Sequence, residues 1–275
     1  MRRTSRGMSV TTRFAPSPTG RLHMGHAYAA IRAHDFARER GGRFLLRIED
    51  IDGTRSRAEH VATILADLRW LGLAWDGEVA FQSARLDLYA AALERLRSLG
   101  LMYRCYCTRA EIAGAMSAPH GQVAAYPGTC RGSRERDAPH CWRIDMAAAV
   151  ARCGAPSWTD HGRVVTNEAL AQGDVVLARK DAPASYHLAV TVDDAAQGVT
   201  DVVRGCDLFA ATHVHRILQA LLGLAVPRWW HHPLLTGADG ARLAKRHGAP
   251  ALADMRAAGL DGAAVAARLR AGQIA

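Results

Sequence analysis

Lysine is almost missing from this chain. Of its 275 residues 35 are basic, yet the only lysines are Lys180 and Lys245. Arginine stands wherever a positive charge suffices. A lysine that survives such a bias points to a place needing a compact ammonium, which a guanidinium cannot mimic. Also missing is any apolar run of about 20 residues, which excludes a membrane-spanning helix on sequence grounds. The opening residues, Met1-Arg2-Arg3-Thr4-Ser5-Arg6-Gly7-Met8, lack the apolar core of a secretion signal and read as a basic arm over residues 1–9. Cysteines number six, with no secretion signal before them, so reduced thiols or a metal site in a cytoplasmic protein are expected. There are no internal repeats.

What is present is the composition of a soluble globular protein, 49% hydrophobic and 22% charged, long enough for a substantial core and one or two domains. The net charge of +9 favours an acidic partner such as nucleic acid or a nucleotide. After residue 241 the basic residues Arg242, Lys245, Arg246, Arg256, Arg268 and Arg270 face only Asp254 and Asp261, a balance suited to a phosphate backbone or to solvated helix surface.

The pattern predicts strands at 10–15 and 43–48 and helices at 24–40, 58–71 and 86–99, the first ended by Gly41-Gly42. Strands alternating with helices imply an α/β fold with a parallel sheet. Sites in such sheets lie at the carboxyl ends of strands. From 101 to about 184 the pattern breaks into a Cys-, Gly-, Pro- and Arg-rich insertion. Residues 186–203 read as β-type, 208–224 as a helix and 228–235 as a last strand, with Trp229 and Trp230 as core. Two short helices, 252–256 and 263–270, follow a Gly-rich loop. The expected division is a first catalytic half at 10–100, an insertion at 101–184, a second half at 185–236 and a loop with C-terminal helices at 237–275.

The most informative segment is Phe14-Ala15-Pro16-Ser17-Pro18-Thr19-Gly20-Arg21-Leu22-His23-Met24-Gly25-His26. It places His23 and His26 three residues apart at the start of a helix, where they are expected to share a face. A helix N-terminus draws phosphate through its free N–H groups and dipole. The segment therefore reads as a triphosphate site. Farther on, Cys105-Tyr106-Cys107 and Cys130 in a Gly/Pro-rich insertion suit tetrahedral zinc. Spacing leaves the fourth ligand open among Tyr126, His120, His140 and Cys141. Cys153 and Cys206 read as ordinary core or surface residues.

The His23–His26 segment resembles the His-Ile-Gly-His signature of class I aminoacyl-tRNA synthetases in its glutamyl form. Arg47-Ile48-Glu49-Asp50-Ile51-Asp52, Leu71-Gly72-Leu73-Ala74-Trp75-Asp76, Tyr186-His187-Leu188-Ala189-Val190 and Val202-Val203-Arg204-Gly205 follow in that family's order. The second signature, Lys-Met-Ser-Lys-Ser, is matched by Arg242-Leu243-Ala244-Lys245-Arg246 at its second lysine alone. The match fades near residue 250, so the chain is expected to lack an anticodon-binding domain and resembles the truncated glutamyl-Q tRNA(Asp) synthetase family.

This resemblance implies a Rossmann-type (HUP-like) parallel sheet with an inserted zinc-containing subdomain and a short helical C-terminus. It implies a cytoplasmic, monomeric ligase that activates L-glutamate with ATP and Mg2+ to glutamyl-adenylate without needing tRNA, and then passes the glutamate to the queuosine at the wobble position of tRNA(Asp). By the same resemblance His23, His26 and Lys245 carry catalysis, and Gly25 joins them in holding ATP. Arg13, Ala15, Ser17, Glu49, Tyr186 and Arg204 bind glutamate, while Asp50 and Asp52 bond nearby backbone. Cys105, Cys107, Tyr126 and Cys130 hold one structural Zn2+. The competing expectations are a short glutamyl-tRNA synthetase charging tRNA(Glu) and a synthetase-like module that binds without turnover.

Overall fold

The computed structural model describes residues 9–108, 110–112, 125–134, 136–236 and 250–273. The chain divides into two compact units, Met1–Ala84 with Gly198–Leu208 and Pro227–Ala275, and Arg85–Gln197 with Phe209–Val226. No helix among the described residues is long and apolar enough to cross a membrane.

The first unit is the α/β part. Strand β1 (Thr11–Phe14) pairs in parallel with β2 (Arg43–Ile48), and β2 with the short β3 (Ala80–Phe81). Two later strands, β9 (Asp201–Gly205) and β10 (Arg228–His232), also run parallel. Thr200 N–H donates to the Thr11 carbonyl at 3.0 Å and Thr11 N–H to Thr200 Oγ1 at 2.8 Å, which ties the start of β9 to β1. Helix α1 (Met24–Arg38) lies on this layer through Ala27, Ala30, Ala33 and Ala37, all fully buried. Alanines at these spacings let the helix axis approach closely, and the buried Thr12 hydroxyl donates to the Ala33 carbonyl at 2.8 Å. The core continues through Phe44, Leu46 and Ile48 to α2 (Ala58–Trp70) and to the terminal helices α8 (Leu252–Ala257) and α9 (Gly262–Arg270). The Gly41-Gly42 pair does two jobs. Gly41 turns at φ +61°, and a Cβ on Gly42 would lie 2.3 Å from the Val10 carbonyl oxygen. Only glycine lets the chain leave α1 and enter β2 this tightly.

The second unit holds the insertion and several helices. Strands β4 (Met102–Cys105), β5 (Cys141–Ile144) and β8 (Val176–Ala178) form an antiparallel sheet in that order. A hairpin, β6 (Trp158–Asp160) and β7 (Arg163–Val165), turns at His161 and Gly162, both with positive φ. Helices α3 (Leu86–Ser98), α4 (Met146–Cys153), α5 (Ala169–Gln172), α6 (Tyr186–Ala196) and α7 (Phe209–Leu222) complete it.

One element differs from its sequence reading. The stretch read as β-type from 186 to 203 is helix α6 followed by β9. Every residue from Leu188 to Asp194 is buried, so no exposed face imposes a 3.6-residue rhythm. Thr191 fits the helix by donating its hydroxyl to the His187 carbonyl at 2.8 Å. Asp193, fully buried, accepts from Arg85 Nε at 2.6 Å and from the Tyr89 hydroxyl at 2.8 Å.

Candidate active site and metal cluster

The loops after β1 and β2 lean together at the carboxyl ends of their strands. Glu49 N–H donates to the Pro16 carbonyl at 3.0 Å, and Arg57 N–H to the Pro18 carbonyl at 3.2 Å. The first loop then delivers His23 to the start of α1. His23 stands just ahead of the helix, where the predicted start at residue 24 puts it. It is the extended N-cap, φ −125° and ψ 176°, and the helix begins at Met24. Its Nδ1 accepts from Gly25 N–H at 3.1 Å, while His26 Nδ1 accepts from His23 N–H at 3.2 Å. This reciprocal cap brings the ring centroids to 3.8 Å. It also sets the hydrogens. With each Nδ1 spent as an acceptor, a neutral ring carries its proton on Nε2. Neutral rings capped in this way carry their Nε2–H groups at the helix start, where no acidic side chain stands in the first turn. Such a set suits an anion.

The other proposed ligands in this unit are placed as follows. Arg13 on β1 and Arg204 on β9 are each only 5% exposed. Arg204 Nε donates to His231 Nε2 at 3.2 Å and its Nη2 to the Leu208 carbonyl at 3.1 Å. Glu49, half-buried, has the wholly buried guanidinium of Arg47 at 3.7 Å. Ala15 is half-buried and Ser17 exposed. Asp52 accepts from Thr54 N–H, the nearby backbone expected for it, and also from the Thr54 hydroxyl and Arg55 Nε, whereas Asp50 accepts from the N–H and hydroxyl of the sequence-distant Ser83. Arg242, Ala244 and Lys245 lie outside the described residues. Past them, Ala251 forms an antiparallel bridge to His23, and Leu252 N–H donates to the Leu22 carbonyl at 2.9 Å. Tyr186 belongs to the second unit. It opens α6 beside His187 and His215, whose rings share a 3.3 Å Nδ1···Nε2 hydrogen bond.

Sequence reasoning passed over Arg47, His231 and Ala251. Arg47 had a visible signal, a charge set within the apolar run Phe44-Leu45-Leu46-Arg47-Ile48. The other two are neighbours only in three dimensions.

In the second unit Cys105, Cys107 and Cys130 hold their sulfurs within 4.8 Å of one another, a group able to hold a metal ion. The Tyr126 hydroxyl joins them, 3.4 Å from Cys105 Sγ and 3.3 Å from Cys107 Sγ, and Cys107 and Cys130 sulfurs are 3.4 Å apart. A tetrahedral zinc with Zn–S near 2.3 Å sets its sulfurs about 3.8 Å apart and a sulfur about 3.5 Å from an oxygen. The four atoms therefore fit such an ion with small shifts. Cys141 faces Cys105 across the β4–β5 register but is outside the group, and His140 Nδ1 bonds the Ala138 carbonyl; His120 lies outside the described residues. Burial opposes ionisation of Cys130, but N–H groups of Tyr106 and Cys107 and the Tyr126 and Cys107 side chains outweigh it and draw its thiol down to about 7. Burial pushes Cys107 up to about 11, and burial with the three surrounding sulfurs raises the Tyr126 phenol.

A buried carboxylate braces this cluster. Asp174, 2% exposed, accepts from the Tyr103 hydroxyl at 2.6 Å, from Arg131 beside Cys130, and from Met146 N–H at 2.9 Å. Arg143 donates to the Asp174 carbonyl at 2.6 Å and lies 3.8 Å over the Tyr126 ring. One side chain thus joins β4, the Cys130 loop and the start of α4.

Comparison with known proteins agrees with this architecture. A protein of Rhodobacter capsulatus named glutamyl-Q tRNA(Asp) synthetase is 50% identical over 266 residues, covering 91% of this chain and 96% of the relative. A protein of that name from Nocardia farcinica is 50% identical over 250 residues, covering 90% and 79%. The crystal structure of a glutamate tRNA ligase from Elizabethkingia meningosepticum in complex with its amino acid superposes with a TM-score of 0.71 at 28% identity, over 87% of this chain. The chain spans about half of that structure, 52% of its length. Residues 9–268 match the class I tRNA synthetases (E and Q), catalytic domain, and the chain belongs to that family.

Proposed function

We propose that this ligase activates L-glutamate with ATP to glutamyl-adenylate and transfers the glutamate to queuosine at the wobble position of tRNA(Asp). The observation that carries the reading is the 50% identity, along nearly the whole chain, to relatives named for that reaction. In the first step a glutamate carboxylate oxygen attacks the α-phosphorus, and the bond to pyrophosphate breaks. Such chemistry needs positioning and charge neutralisation more than covalent help.

The Nε2–H donors of His23 and His26 hold phosphate oxygens, and Gly25, without a side chain, leaves room for the nucleotide above the helix. Mg2+ accompanies the ATP and neutralises its phosphates. Lys245 supplies the compact ammonium that follows charge onto the departing pyrophosphate. It stands six residues before Ala251, the partner of His23, within reach of an extended segment of about 20 Å. Arg13 and Arg204 supply positive charge for the carboxylate of glutamate, and Glu49 takes the substrate ammonium. By the family resemblance Ala15, Ser17 and Tyr186 also take part in binding glutamate. Cys105, Cys107, Cys130 and Tyr126 hold one zinc, which joins the loops of the insertion and takes no part in the chemistry.

Labelled glutamate supplied with ATP and purified tRNAs tests this reading. Queuosine-containing tRNA(Asp) should become labelled, and the same tRNA without queuosine should not. Equal labelling of both, or charging of tRNA(Glu) at its 3′ end, would instead establish an ordinary glutamyl-tRNA synthetase. Absence of glutamate-dependent ATP–pyrophosphate exchange without tRNA would leave only a binding module.

A further inference from the structure

The insertion carries a row of rings and cations that the activation step does not use and whose Tyr106 end packs against the cysteine cluster. The His140 ring stands between Tyr106, 5.7 Å away, and Trp142, 5.3 Å away, measured between centroids. Guanidinium groups layer onto both ends. Arg136 lies 4.8 Å over Tyr106, while Arg97 and Arg104 lie 4.7 and 5.4 Å over Trp142. The register of β4 and β5 sets Arg104 directly across from Trp142. Tyr106 is pinned at the far end, since its hydroxyl accepts from Arg136 N–H at 2.9 Å and donates to the Arg136 carbonyl at 3.2 Å.

This row is not a core. All three rings are only partly buried, and Arg97 and Arg136 are exposed. Nor is it neutral. Lys180 Nζ reaches the Tyr106 carbonyl at 3.4 Å, which brings one of the chain's two lysines to the same place. Glu94 binds Arg97 at 2.8 Å, and Glu111 feels Arg136 and Lys180. Four cations against these two carboxylates leave a positive excess. Half-exposed rings interleaved with guanidinium planes are the chemistry that stacks unpaired bases and pairs with their phosphates. A protein helix or an apolar peptide would want the opposite, a continuous apolar patch.

We propose that the Tyr106–His140–Trp142 row is a stacking platform for unpaired bases of an RNA strand. In the reading above, on which this rests for the identity of the RNA, that strand belongs to the tRNA substrate. Guanidinium groups now lying on the rings shift to the phosphates as bases take their place.

The test uses the full chain and two fluorescent RNAs, a hairpin with a seven-nucleotide loop and a blunt duplex of the same stem. Trp142→Leu keeps an apolar, smaller side chain and removes the ring, and His140→Ala removes the middle of the row at a partly exposed site. Each should weaken hairpin binding roughly 5- to 100-fold, the range for one lost base–aromatic stack, and leave duplex binding unchanged. Arg136→Gln should lower the slope of log affinity against log salt by about one. ATP–pyrophosphate exchange with glutamate and no RNA should be unaffected by all three. Zinc content and melting temperature equal to wild type certify the insertion's fold; should Trp142→Leu fail that check, His140→Ala carries the decision. Wild-type hairpin affinity in a well-folded variant would overturn the proposal and make the row an internal brace. The functional reading is judged separately, by exchange and queuosine labelling in the wild type. Loss of those with ring-dependent hairpin binding retained would overturn the reading and keep the platform.

Discussion

The His23–His26 cap and the Cys105–Cys107–Cys130–Tyr126 group both crowd reactive side chains into a few ångströms, one in each compact unit. The cap is made with the backbone. Each imidazole spends Nδ1 on a main-chain N–H, and the strand–loop–helix path places both rings. The cysteine group is made mostly of side chains meeting each other, on an antiparallel sheet with a buried aspartate behind it. A site built on backbone tolerates exchange of any side chain that can still accept the same N–H, and loses only what the outward atom did. A site built from side chains has no such reserve, because removing one leaves the others as crowded thiols without a purpose.

The largest effect that would sharpen this contrast is expected at Lys245. Lys245→Arg should cut glutamate-dependent ATP–pyrophosphate exchange by on the order of a hundred- to a thousandfold, mostly in kcat, with the melting curve unchanged. Near wild-type turnover would show that any cation suffices there and that the scarcity of lysine carries no information.

Next comes the cluster. Tyr126→Phe should lower zinc affinity about a hundredfold or more and destabilise the second unit, whereas Cys141→Ser should keep one zinc per chain. Metal analysis after dialysis decides. Full zinc in the first variant with loss in the second would reverse the ligand assignment.

The cap can be broken in two different ways. Asparagine is a strong N-cap residue, so His23→Asn should preserve the stability of α1 while reducing exchange roughly ten- to a hundredfold through loss of the Nε2–H donor. His23→Ala should lose the cap as well, about 1 kcal/mol in urea unfolding. If asparagine restored full activity, the outward hydrogen would have no role and the two regions would differ less than argued.

The smallest effect is a control on the first unit away from its site. Burial opposes ionisation of Asp35, but His34 and Arg270 outweigh it and hold the carboxyl at about 2. A carboxylate depressed in the folded state stabilises above its unfolded value near 4 and loses that contribution as pH falls toward 2. Asp35→Asn should therefore cost on the order of 1 kcal/mol at pH 7, with the gap to wild type closing between about pH 4 and pH 2. Urea titrations across that range measure it. A gap that persisted at pH 2 would mean that α1 and α9 are joined there by packing rather than by charge.

The sequence made some of this legible for clear reasons. Helix α1 and strand β2 could be read because the alanine face has a helical period and two glycines mark the joint between them. Helix α6 could not, because residues 188–194 are buried all round and a β-branched run inside a core looks alike in either state. The three cysteines declared themselves by spacing and chemistry. Spacing carries no angles, however, so the approach of the Tyr126 hydroxyl to Cys105 and Cys107, and the absence of Cys141 from the group, needed coordinates. Likewise the histidine pair was visible, while its role as a cap, and hence the side of each ring that keeps the proton, depends on where the helix begins.

The discontinuity of the first unit has a consequence for how the protein is made. Its strands β1 to β3 leave the ribosome early, but β10 and helices α8 and α9, which complete the same core, follow only after residue 227, about 140 residues later. At ordinary translation speeds of ~5–20 residues per second that interval is roughly 7–30 s. During it Phe44, Leu46 and Ile48 have part of their eventual cover missing. The second unit, by contrast, lacks only α7 once residue 197 has emerged. The order in which the units are completed thus runs against the order of synthesis: the segment made earlier waits longer for its partners, and its apolar strands are the ones exposed meanwhile.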